Sequence, residues 1–165
     1  MADGLIVKDS YKKLLQRALR YCAGSEQCEA DVRGKLAQWG ASSAEVDAVV
    51  RRLKQGDYIN ERRYVRYYCE NKVLSQHWGR QKVEYGLRQK GISRDLAAEG
   101  MTVVNPEDYS EVLAKTAQTK LDTLTPADEW TLRTKLTAFL AQRGFLLPEI
   151  SEALDNLDFS HKINN

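Results

Sequence analysis

Three copies of one helix-ending pattern constrain the fold of this chain more than any other feature of its sequence. The pattern is Leu-x-x-x-Gly, which occurs at 36–40, 87–91 and 140–144, so that its glycines lie 51 and 53 residues apart. A glycine at a helix end commonly takes a left-handed conformation that lets the next residue contact the one four positions before the glycine. We therefore expect Gly40, Gly91 and Gly144 to be structural glycines of a repeated unit.

Helix-start signals recur in the same order around these glycines. Polar residues that suit the N-cap position precede runs in which apolar residues recur at helical spacing; these candidate caps are Ser25, Ser42, Asn60, Ser93, Asn105 and Thr125. No stretch alternates with period two for long enough to predict a strand. The sequence therefore predicts an all-α fold of nine helices, the first over Tyr11–Tyr21, with Trp130 in the core of the eighth and the last eight residues frayed.

The nine predicted helices form three tandem three-helix repeats. We expect them at residues 8–56, 57–104 and 105–158, as one continuous array. A single trihelical unit is too small to bury its own apolar faces, so the units are expected to stack on their neighbours. The fold class is therefore an elongated, curved, solenoid-like arrangement of helices.

Charge is distributed unevenly over these repeats. Residues 57–94 hold nine Lys and Arg against four acids, residues 1–56 hold ten against seven, and residues 95–165 hold six against twelve. The near-neutral total of +2 thus hides a basic first two-thirds and an acidic last third. Such asymmetry favours a polyanion or an acidic protein as the partner of the middle repeat.

Several classes of protein are disfavoured by what the chain lacks. It has no apolar run of membrane-spanning length and no basic leader with a long apolar region, so we expect neither a membrane span nor a signal peptide. Three cysteines in a Lys- and Glu-rich chain indicate reduced thiols in the cytoplasm. No zinc spacing, glycine-rich phosphate loop or nucleophile motif is present. We therefore expect no metal, no cofactor and no enzyme activity.

The middle repeat holds the candidate binding residues. At about 100° per residue, Arg62, Arg63 and Arg66 fall within one quarter of a helix, away from the apolar arc. The next helix places Arg80, Glu84 and Arg88 in one row, which we expect to neutralise itself in part. The full candidate set for binding a partner or a DNA filament is Arg62, Arg63, Arg66, Arg80, Lys82, Arg88 and Lys90. Solvated charge is the plainer interpretation, but the excess of arginine favours a binding surface.

At these residues the chain resembles the RecX family, the bacterial regulators of the RecA recombinase, over about residues 10–158. The most specific stretch is Gly56-Asp57-Tyr58-Ile59-Asn60-Glu61-Arg62-Arg63-Tyr64, which is similar to the family's junction between its first and second repeats. Asn60 stands where the family commonly has an acid. Two further matches lie at Gly79…Lys82-Val83…Leu87…Lys90-Gly91-Ile92 and Phe139-Leu140…Arg143-Gly144-Phe145…Ile150.

The resemblance implies a regulator without a catalytic site. It implies a monomer that binds in the groove of the RecA filament on DNA and alters its ATP hydrolysis and strand exchange, with inhibition as the expected sign. Direct binding of single- or double-stranded DNA and a helical protein adaptor unrelated to RecA remain the alternatives. Binding through phosphates would weaken steeply with salt, which separates those two alternatives.

Overall fold

The computed structural model describes the backbone of residues 2–163 and the side chains of residues 9–163. Within this range the all-α prediction is confirmed, as is the prediction of three three-helix repeats. A π-helical segment, Asn71–Ser75, continues the fourth helix. The nine α-helices are α1 (Ala2–Gly24), α2 (Glu29–Gln38), α3 (Ser43–Gln55), α4 (Glu61–Glu70), α5 (Arg80–Gln89), α6 (Arg94–Met101), α7 (Pro106–Thr123), α8 (Glu129–Gln142) and α9 (Leu147–Asp155).

Four of the predicted N-caps are confirmed. Ser42 and Glu45 form a reciprocal capping box at the start of α3. The Ser93 hydroxyl accepts a hydrogen bond from the backbone N–H of Leu96 at the start of α6. The side chains of Asn60 and Asn105 likewise accept a backbone N–H three residues later, at 3.0 and 2.7 Å. These side chains satisfy backbone donors that the first helical turn leaves without partners.

Two predicted N-caps are wrong. The helix after Ser25 begins only at Glu29, because its N-cap is Cys28, a fully buried residue whose side chain makes no capping bond. Burial of the apolar thiol thus outweighs the capping preference of the serine. The eighth helix begins after Asp128 instead of Thr125, since the Asp128 carboxylate accepts the Thr131 backbone N–H at 2.9 Å. An ionised carboxylate also suits the positive end of the helix dipole better than a hydroxyl.

The three repeat glycines share one backbone conformation. Their φ angles are +83° at Gly40, +77° at Gly91 and +92° at Gly144. After Gly40 and Gly144 the next backbone N–H donates to the carbonyl of Leu36 and of Leu140, at 3.1 and 3.2 Å. This six-to-one hydrogen bond is the helix-ending geometry that the Leu-x-x-x-Gly pattern predicts.

The chain divides into two compact units with separate cores. The first comprises the residues up to Tyr67 together with Lys90–Ile92, and the second comprises Tyr68–Gln89 together with the residues from Ser93 onward. The first core holds Leu14, Ala18, Val32, Leu36, Val46, Val49, Val50, Leu53 and Ile59. The second holds Val83, Leu87, Leu121, Leu132, Leu136, Leu140, Phe145 and Ile150, all at most 1% exposed. No helix in the described range has the length and apolar character needed to cross a membrane.

Three further predictions about individual segments are wrong. The first helix starts at Ala2, nine residues before Tyr11, and no proline interrupts that stretch. Trp130 is 76% exposed, because it lies two positions from Leu132 and hence on the opposite side of α8. Residues 158–163 are packed instead of frayed, because Phe159 is 4% exposed and the Lys162 ammonium donates to the carbonyls of Asp122 and Leu124. Residues 164 and 165, which the same prediction covered, lie outside the described range.

Candidate interaction site

Arg63 is engaged within the first unit. Its guanidinium forms ion pairs with Glu26 and, at 2.9 Å, with Asp57, and it donates to the Asp57 carbonyl at 2.8 Å. Hydrogen bonds from Asn60 and Arg63 lower the pKa of the Asp57 carboxyl, which therefore remains ionised. Asp57 itself has a left-handed φ of +57° directly after α3. Arg63 thus holds the turn between α3 and α4, and a partner would have to displace two carboxylates to reach it.

Lys90 is likewise bound to an acid of the first repeat. Its ammonium lies 2.8 Å from both carboxylate oxygens of Asp31, and the two side chains are about equally shielded from solvent, at 28% and 31% exposed. Residues 31 and 90 are far apart in sequence, so this pair is a tertiary contact within the first unit. Arg63 and Lys90, both predicted as partner-binding residues, therefore make internal contacts.

A left-handed turn places an aromatic ring among the cations of the second unit. The π-helical segment ends where His77 takes a φ of +54°, and the backbone N–H of Trp78 donates to the Lys72 carbonyl at 2.9 Å. This hydrogen bond joins residues six positions apart, one more than the five positions between the bonded residues at Gly40 and Gly144. Trp78 is consequently held directly beside Lys72.

Two ammonium groups lie against the Trp78 ring. The Nζ atoms of Lys72 and Lys82 are 4.6 and 4.5 Å from its centroid, and that of Lys72 is also 5.4 Å from the Tyr68 ring. Such distances permit cation–π attraction, which contributes about 0.5–1 kcal/mol at exposed sites. We call Lys72, Trp78 and Lys82 the Lys–Trp–Lys cluster.

Backbone contacts fix the position of this cluster on the second unit. The N–H of Gly79 donates to the Arg143 carbonyl at 2.7 Å, and the N–H of Gln81 donates to the Gly144 carbonyl at 3.0 Å. Arg143 in turn donates to the carbonyls of Gln76 and His77. These hydrogen bonds therefore hold the turn that carries Trp78 against the loop between α8 and α9. A surface held this way needs little ordering on binding, which lowers the entropic cost of association.

The other two candidate arginines of this unit lie near tyrosine rings. The Arg80 guanidinium is 5.8 Å from the Tyr109 ring, and the Arg88 guanidinium is 5.8 Å from the exposed Tyr85 ring. Within residues 9–163 no ion pair joins Arg80, Glu84 and Arg88. The predicted mutual neutralisation of this row is thus wrong, since the arginines favour aromatic neighbours.

Arg62 and Arg66 complete the predicted set on α4. Both are exposed, and their spacing of four residues puts them on one side of the helix. The buried side chains of Tyr64 and Val65 point elsewhere, so packing of the core does not involve this side. It carries charge that a binding partner could reach.

Sequence reasoning missed Lys72 as a site residue. It counted Lys72 in the charge of the middle repeat, but it did not connect that residue with Trp78 six positions later. An α-helix would place positions six apart on different sides, whereas the π-helical turn brings them together.

The described residues offer little for catalysis. Within residues 9–163 no group of three or more His, Cys, Asp or Glu side chains is placed to hold a metal ion. Burial raises the pKa of the Cys69 thiol to about 12, so this sulfur is a poor nucleophile at neutral pH. What the second unit does bring together is an aromatic ring and two ammonium groups, in the Lys–Trp–Lys cluster.

Comparisons with known proteins identify relatives of all three repeats. Models of the first, second and third three-helix domains of RecX match residues 15–53, 60–101 and 107–154. The regulatory protein RecX of Chlorobium phaeobacteroides is 31% identical over 146 residues, which cover 88% of this chain and 94% of that protein. Regulatory protein RecX of Clostridium perfringens is 28% identical over 143 residues, or 86% of this chain and 66% of that protein.

A solved structure of the same name has the same fold. The crystal structure of a regulatory protein RecX superposes with a TM-score of 0.81 at 22% sequence identity, over 94% of this chain and 78% of that one. The chain spans about two thirds of the length of the clostridial relative.

Proposed function

Because the chain belongs to the RecX family of regulatory proteins, we propose that it binds the RecA recombinase filament on DNA and inhibits its ATPase and strand-exchange activities in recombination and DNA repair. It acts by binding alone, as a cytoplasmic monomer that needs no cofactor. The observation that carries this proposal is the Lys–Trp–Lys cluster, which lies within residues 57–94, a stretch with nine Lys and Arg against four acids.

The physical basis is the match between this surface and a nucleoprotein filament. A RecA–DNA filament offers phosphates and acidic protein surface together, and both attract a basic face. Arginine binds phosphates and carboxylates in a bidentate manner, whereas lysine acts as a point charge. A rigid surface with both residue types suits such a mixed target.

The contacting residues are the candidate cations other than Arg63 and Lys90, whose carboxylate partners are described above. We assign Arg62, Arg66, Arg80, Lys82 and Arg88 to filament contacts and add Lys72. Arg63 and Lys90 are left out of direct contact, because exchanging their present carboxylate partners for new ones brings little net gain. Their role is to maintain the fold on which the other cations are displayed.

We assign the acidic third repeat to contacts with protein and not with the phosphates of DNA. Residues 95–165, which include this repeat, carry a net charge of −6, and DNA would repel that charge. The basic repeat would therefore face the nucleic acid and the acidic groove of RecA protomers, and the third repeat would contact a basic protein surface. This division predicts that the repeats contribute differently to the salt dependence of binding.

Co-sedimentation with RecA filaments on single-stranded DNA tests the proposal. The chain should sediment with filaments formed in the presence of ATP, and the ATPase rate should fall as its concentration rises. A chain that stays in the supernatant, or that leaves the ATPase rate unchanged at saturation, would refute filament regulation.

Direct binding of nucleic acid is the second candidate function. The Lys–Trp–Lys cluster favours it, since single-strand-binding proteins combine cations that follow the backbone with aromatic rings on which bases stack. Fluorescence anisotropy of a labelled oligonucleotide without RecA separates the two functions. Binding to bare DNA as tight as to the filament would identify a DNA-binding protein, and binding to neither would leave a protein adaptor.

A further inference from the structure

A groove of 410 Å³ opens in the second unit, and no residue of the Lys–Trp–Lys cluster lines it. Helices form its two long walls: α7 contributes positions 106, 109, 110, 113 and 114, and α9 contributes 149, 152 and 153, with 156 and 157 from the two residues that follow it. Both sets follow the spacing of one helix face, so the groove runs along the two helices for about two turns. Its volume holds one or two bulky apolar side chains.

The floor of the groove is apolar and firmly packed. It includes Met101, Val104 and Leu113, which are 3%, 9% and 4% exposed. Ala114 and Ala153 stand on the two walls, where their small side chains leave room for a partner to approach. A floor of buried side chains beneath an open top is the form that apolar anchor residues of a partner occupy.

Carboxylates surround this floor. Glu149 and Glu152 line the groove on α9, and Glu152 is exposed with no ion pair within residues 9–163. On α7, Glu107 and Glu111 are exposed and share one helical row with Ala114. The one basic residue of the lining is Arg80. The rim is therefore acidic, and it would repel a nucleic-acid strand.

The walls are held in place without a ligand. The buried Tyr109 hydroxyl accepts the Arg80 backbone N–H at 3.0 Å and donates to Glu149 at 3.2 Å. The same Glu149 oxygen accepts the Leu146 N–H at 2.9 Å, which caps α9. Burial raises the pKa of Tyr109 to about 12, so the hydroxyl keeps its proton over the physiological range. The groove is thus preformed, a condition that favours binding of a short segment.

We propose that this groove is a docking site for a basic amphipathic helix of a protein partner. The helix would insert one or two bulky apolar side chains between α7 and α9 and direct flanking Lys or Arg residues towards Glu152 and the carboxylates of α7. This occupant follows from the acidic rim, the apolar floor and the wall residues at helical spacing. The inference goes beyond filament regulation through the basic repeat, because it concerns an acidic-rimmed groove that shares only Arg80 with the proposed filament contacts.

Methionine NMR tests the proposal directly. The chain has two methionines, Met1 and Met101, so methyl labelling gives one signal from the groove and a single further signal for reference. The probe is a peptide of roughly 14 residues containing only Lys and Leu, with leucines at helical spacing. We expect it to shift the Met101 signal to saturation and to leave the Met1 signal in place. A peptide of the same composition in scrambled order and one with Glu for Lys should bind roughly ten-fold more weakly.

Variants locate the probe on the chain. Ala153→Trp fills the groove and Glu152→Lys reverses its rim, so each should weaken probe binding by roughly ten-fold or more. Ala138→Trp, at an exposed alanine of α8, and Glu70→Lys, at an exposed acid of α4, are the matched controls and should change it by less than about two-fold. If Ala153→Trp fails to fold, the exposed Glu152→Lys variant and the Met101 signal still show whether the probe binds in the groove.

Three outcomes would overturn the proposal. One is an unmoved Met101 signal at saturating probe, and another is equal binding of the ordered and scrambled peptides. The third is a parent chain that dimerises in sedimentation experiments while Ala153→Trp does not, since the groove would then be an interface between copies. Loss of filament regulation is a separate result, because the Lys–Trp–Lys cluster remains intact in these variants.

Discussion

Gly79 lies against Gly144 so closely that a Cβ atom on Gly79 would come within 2.2 Å of the Gly144 carbonyl carbon. The opposing Cβ on Gly144 would meet the Lys82 backbone nitrogen at 2.5 Å. The two glycines therefore allow the turn of the second repeat to touch the α8–α9 loop through backbone alone. This contact carries the hydrogen bonds that hold Trp78 and Lys82 in place.

Gly79→Ala should reveal the strength of this contact. The new methyl group overlaps backbone atoms, which cannot move aside like a flexible side chain, so we expect the free energy of unfolding to fall by about 1–3 kcal/mol or more. Gly34→Ala is the matched control, because Gly34 lies inside α2 with nothing within 4 Å of its Cβ position. That variant should gain about 0.5–1 kcal/mol. Thermal unfolding measures whether Gly79→Ala loses stability and Gly34→Ala gains it. A Gly79→Ala chain as stable as the parent would contradict the packing described.

His77 provides a second test of the same turn. Its left-handed φ of +54° is tolerated by histidine but strained for β-branched residues. We expect His77→Val to lower the free energy of unfolding by about 1–2 kcal/mol and His77→Gly to be at least as stable as the parent. Equal melting temperatures for the valine and glycine variants would show that the backbone here is not strained.

Variants of Arg63 and Arg66 should distinguish an arginine that stabilises the fold from one that binds the filament. Arg63→Ala removes hydrogen bonds to Glu26 and Asp57 and should destabilise the chain by about 1 kcal/mol, since its side chain is partly screened by solvent. Arg66→Ala should change stability by less than about 0.5 kcal/mol and should weaken filament binding. Chemical denaturation and co-sedimentation of both variants distinguish these roles; the reverse pattern would overturn the assignment.

The cysteines predict an order of chemical reactivity. Burial raises the pKa of all three thiols, to about 12 for Cys69, so each is mainly protonated near neutral pH and gains thiolate only as pH rises. Cys22 is the one that is not fully buried, and it should be alkylated first. Mass spectrometry after iodoacetamide treatment at rising pH checks the order; Cys69 reacting first in the folded chain would contradict its burial.

Local signals predicted the helices well, but tertiary contacts decided the details. The spacing of Leu132, Leu136 and Leu140 already excludes Trp130 from the same face, because two residues correspond to about 200° of rotation. Hydrophobicity alone had placed that tryptophan in the core. Periodicity therefore predicts a buried face more reliably than residue type does.

The candidate site could be predicted only in part. The excess of basic residues in the middle repeat indicated where binding residues lie. It did not indicate that Arg63 and Lys90 pair with Glu26 and Asp31, which are distant in sequence. No local pattern identifies such pairs. The π-helical turn that joins Lys72 to Trp78 could not be predicted from local sequence either, because hydrogen bonds to a loop of the third repeat hold it in place.

The salt dependence of filament binding tests the central claim most directly. The parent, Lys72→Gln/Lys82→Gln and the control Lys115→Gln/Lys135→Gln, with two exposed lysines of the third repeat, would be titrated with RecA filaments at several salt concentrations. If both cluster lysines contact phosphate, the cluster variant should bind more weakly and lose roughly 1.5 units of the log–log slope, while the control keeps the parent's slope. A cluster variant that folds and binds with the parent's affinity and slope would contradict the account.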